Sequence, residues 1–111
     1  MTRTPLFNRR ANRSLKVEHF DPLAGPNGGP LRFHVTLGEF ADGKPGEVFI
    51  TAAGKSGKGS MLETVARDVA VLMSLAIQYG APLETMRRAV SRDESNRPQT
   101  FVGAVLDAME G

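Results

Sequence analysis

Gly54-Lys-Ser-Gly-Lys-Gly-Ser60 is the stretch of this 111-residue chain that looks most like a chemical site. It lies between an expected strand and an expected helix, where phosphate loops lie, and it contains Gly-Lys-Ser. A Walker-type loop requires G-x-x-x-x-G-K-[ST], because its first glycine lets the backbone curl around the phosphates. Counting back from Gly54 puts Phe49 at that place, inside a strand. The alternative, Gly57-Lys58, is followed by Gly59, which has no hydroxyl to hold magnesium. Both versions of the motif fail. A simpler role stays open: free N–H groups at the helix start, with Lys55, Ser56, Gly57, Lys58 and Ser60, make anion-binding candidates for a phosphate or carboxylate. A solvated connector accounts for the same residues.

Other chemistry is sparse. His19 and His34 fall on expected strands and would sit side by side if those strands pair, but a metal site needs three or four convergent ligands and no third is near. Structural histidines are the expectation, and no metal. No G-x-S-x-G elbow presents a serine nucleophile. Asp93-Glu94 lies among arginines in a polar stretch, the pattern of a solvated face. The chain has no cysteine, which removes disulfides, thiolate metal sites and dithiol redox chemistry. No catalytic constellation and no cofactor site are expected.

Charge is unevenly spread. Fourteen Lys and Arg against twelve Asp and Glu give +2. Arg3, Arg9, Arg10, Arg13 and Lys16 are the only charges in residues 1–16, a net +5, so the remaining 95 residues carry −3. The expectation is a flexible basic arm over residues 1–13 and a single folded domain over 14–111. The arm would stay solvated, dock on a protein partner or another copy of the chain, or neutralise nucleic-acid phosphates; its one aromatic is Phe7. No apolar run approaches the ~20 residues of a membrane span, and the N-terminus lacks the apolar region of a secretory signal. A cytoplasmic protein is expected.

The elements that would position these residues follow from periodicity. Ser14–Phe20, Leu31–Phe40 and Glu47–Ala53 alternate apolar and polar, as half-buried antiparallel strands do. Asp42-Gly43 signals a hairpin between the last two, and Asp21–Pro30, with three Pro and three Gly, reads as a loop. Ser60 and Glu63 form a capping box for a helix that runs to Tyr79 and stops at Gly80. Thirteen of residues 61–79 are apolar, and Glu63, Arg67, Ser74 and Gln78 share one narrow stripe. So wide an apolar face needs cover from the sheet and from a second helix or another subunit, which makes a homodimer the expectation, with the Met61–Tyr79 helix or its neighbour at the seam. A helix from Pro82 to Ser91 and a last one from Phe101 to Met109 complete the chain. The class is α+β: a three-stranded antiparallel sheet followed by and packed against two or three helices.

The order of pieces resembles a known family. Phe40-Ala-Asp-Gly-Lys44, Gly46-Glu-Val-Phe-Ile50, the Gly/Lys loop, and Ser74-Leu-Ala-Ile-Gln-Tyr-Gly80 with Pro82-Leu-Glu-Thr85 are similar to the TSCPD domain. The resemblance covers about residues 31–91, and Leu6-Phe-Asn-Arg-Arg10 looks like the L-P-x-R-R stretch that often precedes that domain. The family occurs at the C-terminal end of adenosylcobalamin-dependent (class II) ribonucleotide reductases and as small stand-alone proteins. Its name comes from a Thr-Ser-Cys-Pro-Asp motif, and this cysteine-free chain departs from it. The resemblance implies a non-catalytic accessory or binding module that acts through protein partners in nucleotide metabolism, a ribonucleotide reductase foremost. It implies no reductase activity and no cobalamin, and it transfers no functional residue. The alternative is a small nucleic-acid-binding protein using the arm and the Gly/Lys loop.

Overall fold

In the computed structural model, which describes residues 13–20, 30–40, 42, 44–53 and 61–110, the alternating segments pair as expected. Strands β1 (Arg13–His19), β2 (Leu31–Glu39) and β3 (Pro45–Ala53) form an antiparallel sheet in the order β1-β2-β3. The register lines the apolar positions up in rows: Leu15 opposes Val35, which opposes Ile50, and Val17 opposes Phe33. One face is thereby buried, through Val17, Phe33, Val35, Leu37, Val48 and Ile50. The other carries exposed Lys16, Glu18, Arg32, His34 and Thr51, with Glu18 and Arg32 ion-paired at 3.0 Å. The turn between β2 and β3 is tied by Phe40 N–H to the Lys44 carbonyl at 2.8 Å and by Lys44 N–H to Asp42 Oδ1 at 3.0 Å. An aspartate side chain bonding a backbone N–H two residues on is a favoured turn device. Pro45 starts β3, a position where its missing N–H costs least.

Three helices follow: α1 (Met61–Gln78), α2 (Leu83–Ala89) and α3 (Phe101–Glu110). The stop at Gly80 is a left-handed cap, with φ of 99°. Ala81 N–H reaches the Ala76 carbonyl and Gly80 N–H reaches Ile77, at 2.9 and 3.0 Å, the bond pair of a Schellman motif. The Ser60 half of the expected capping box lies outside the described residues. Helix α3 packs on β1 and β2. Phe101 stacks on Phe33 with centroids 4.6 Å apart, and Val105, Leu106 and Met109 fill the core behind it. Gly103 lets residues 91–100 close onto α3, since a Cβ there would come within 2.6 Å of Pro98. Helix α2 packs against α3, and α1 runs along β3.

Candidate functional site

Where α1 meets β3, the helix takes the place of a fourth strand. The Ser74 hydroxyl accepts from Val48 N–H at 2.8 Å and lies 3.1 and 2.8 Å from the carbonyls of Val48 and Ala70. Gln78 Nε2 donates to the Gly46 carbonyl at 2.9 Å from a buried side chain. Outward-facing strand groups need partners, and an uncovered edge invites another chain. Two polar side chains of α1 supply those partners. Ser74 and Gln78 belong to the polar stripe seen in the sequence, and that stripe is turned towards the sheet edge.

The apolar surplus of α1 therefore faces out. Ala66, Ala70 and Met73 enter the core, while Met61 is 79% exposed and Leu72 66%. Val65, Val71, Leu75 and Tyr79 are also exposed. Phe49, pointing to the outer face of the sheet, stands across a groove of about 500 Å³ from Val71 and Leu75. A second, apolar groove of about 330 Å³ opens on the other flank of α1, between Val69, Leu72, Met86 and Val102.

The charged groups of α2, α3 and the segment between them are bound to one another. Asp107 receives Arg92 Nη2 at 2.6 Å, Arg92 Nη1 at 3.1 Å and Arg87 Nε at 3.0 Å. Hydrogen bonds from Arg92 hold the Asp107 carboxyl below the usual range; burial opposes this, and Arg87 adds to it. The same carboxylate raises both arginines. Arg92 also donates to the carbonyls of Arg87 and Asn96, at 2.9 and 3.1 Å, while Arg87 pairs with Glu84 and Glu110. Asp93 is lowered by the Arg97 and Ser95 N–H groups. These contacts staple the fold.

The expected site residues are scattered. Lys55, Ser56, Gly57, Lys58, Ser60, Arg3, Arg9 and Arg10 lie outside the described residues. Arg13, assigned to the arm, is the first residue of β1, and its Nη2 donates to the Met109 carbonyl at 3.2 Å, at the end of α3. Lys16 is exposed on the open sheet face, opposite His34. The histidines are not neighbours, although their strands pair. His19 opposes Leu31 and is buried on the core face, whereas His34 opposes Lys16 three rungs away on the open face. Among the described residues no three His, Asp or Glu converge as metal ligands. Also among them, no helix is long and apolar enough to cross a membrane. The outward residues of α1 carry one signal in the sequence, the spacing 61, 65, 68, 72, 75 and 79 within the broad apolar face, and Phe49 on β3 carries none.

The TSCPD domain model matches residues 11–108. A stretch of 82 residues, 74% of the chain, is 32% identical to a vitamin B12-dependent ribonucleotide reductase of Rhodopirellula baltica. The chain spans 7% of that relative's length. No solved structure matches the chain.

Proposed function

We propose, from the premise that the chain belongs to the TSCPD domain family, that it is a non-catalytic binding module acting through protein partners in nucleotide metabolism. A ribonucleotide reductase is the first partner to test, because the chain's relative is one. One observation carries the reading: the region that matches the family holds a packed core and, outside it, exposed large apolar residues on α1 with Phe49 across the groove from them. Apolar patches of this size on a soluble fold mark association sites. The module works in the cytoplasm as a homodimer. Mixing the purified chain with the ribonucleotide reductase of its own organism, followed by calorimetry and size-exclusion chromatography, tests the partner. A saturable complex supports it, and no complex at high micromolar concentration removes it.

A second reading has its own observation, the net +5 of residues 1–16, with Lys16 on the open sheet face. Binding to nucleic acid through these groups and Lys55 and Lys58 would fall steeply with salt. Deletion of residues 1–12 removes Arg3, Arg9 and Arg10, leaves β1 whole and should weaken binding and flatten its salt dependence; unchanged binding after that deletion ends this reading.

A further inference from the structure

The outward residues of α1 repeat at alternating steps of four and three: Met61, Val65, Asp68, Leu72, Leu75 and Tyr79. All six are exposed, and five are apolar. A 4-3 repeat is the seam of a helix that packs lengthwise on another helix. The residues that hold α1 to its own fold, Ala66, Ala70, Met73, Ser74 and Gln78, lie off this stripe, so the seam is free for use.

Deepening the homodimer named above and resting on it, we infer that α1 is the dimer seam, packed antiparallel against α1 of a second copy about a two-fold axis at residue 70. Three observations favour a second copy. The spacing reads the same in both directions, so reversal sets Met61 against Tyr79, Val65 against Leu75 and Asp68 against Leu72 of the other copy. The area is adequate: Met61, Val65, Leu72, Leu75 and Tyr79 on the seam, with Val71 and Phe49 on its flank, 38–79% exposed, leave on the order of 600 Å² of apolar surface, the upper end for a monomer. Doubled across a two-fold axis, that reaches the ~1,200 Å² of a specific interface. Charge sets the direction. A parallel pair places the two Asp68 carboxylates face to face, and like charges opposed across an interface repel. The antiparallel pair offsets them by four residues, about 6 Å along the axis, and opposes the two helix dipoles.

The chain has no cysteine, so each introduced thiol is alone and cross-linking reads the geometry directly. Met61→Cys and Tyr79→Cys, mixed and mildly oxidised, should form the mixed disulfide. Each variant alone should stay uncross-linked, because its two copies sit about 27 Å apart along the seam. Leu72→Asp should raise the dimer dissociation constant about a hundred-fold, as loss of a central anchor does, with an unchanged circular dichroism spectrum. Asp68→Leu should tighten the dimer. A light-scattering mass of a monomer at micromolar concentration overturns both the dimer and its seam. A dimer that survives Leu72→Asp, or in which the single-cysteine variants cross-link with themselves, keeps the homodimer and overturns the antiparallel α1 seam.

Discussion

The two flanks of the sheet are covered by helices in opposite ways. Over β1 and β2, α3 presents Phe101, Val105, Leu106 and Met109 to apolar side chains, and its outward Asp107 is held by two arginines. Along β3, α1 meets backbone groups as well as side chains, and it answers them with Ser74 and Gln78. A helix lying on a sheet face needs an apolar inner side. A helix lying on a strand edge needs polar groups on that side as well. Since α1 is mostly apolar, spending its polar stripe on the edge leaves its apolar residues in solvent. One flank is closed and the other open.

Substitutions on the closed flank should cost most. Leu106→Ala, at a fully buried position against the sheet, should lower unfolding free energy by about 3 kcal/mol in urea titration. An effect near zero would show that α3 does not close the core. Next comes the edge. Ser74→Ala strands the Val48 N–H that the hydroxyl accepts and should cost about 1.5 kcal/mol, whereas Ser74→Thr should recover most of it. A neutral Ser74→Ala would erase the distinction between face-packing and edge-packing.

Asp107 gives a pH-dependent test. Its folded pKa lies below the ordinary value, mainly through Arg92. The stability it contributes is therefore present above the unfolded carboxylate range and is lost as pH falls through the lowered folded value. Asp107→Asn should reduce the melting temperature at neutral pH and leave a flatter decline towards acid. An unchanged acid limb would show that the staple carries little. The smallest effect on folding belongs to the open flank: Leu75→Ser, at a position 38% exposed, should lower unfolding free energy by about 1 kcal/mol or less, yet weaken self-association measured by light scattering. A large loss of stability would mean that Leu75 belongs to the core after all.

Much of the fold was legible because its signals are local. Period-two alternation placed all three strands to within about two residues, and Gly80 marked the end of α1. The faces of the histidines were legible as well. His19 shares parity with Leu15 and Val17, and His34 with Arg32 and Thr36, so strand pairing alone could never have put them side by side. What sequence did not reveal is long-range. Nothing in residues 61–78 says that Ser74 and Gln78 will face a strand edge 26 and 32 positions away. That depends on α1 running beside β3 instead of over the sheet face. That placement is what separates the apolar residues of α1 that enter the core from those that stay exposed. The Gly/Lys loop drew notice because its residue types are chemical in any context, whereas Phe49 and Leu72 become a surface only once the fold exposes them.

The contact between Arg13 and the Met109 carbonyl has a consequence for portability. The first residue of the sheet and the penultimate residue of the last helix lie within one arginine side chain of each other. A folding unit whose entry and exit share a corner can be spliced into another polypeptide without stretching either, and insertions succeed where ends meet in this way. The same geometry predicts that a short linker joining the two corners, with new ends opened at the turn around Asp42, would yield a permuted chain with the same sheet order and the same exposed helix.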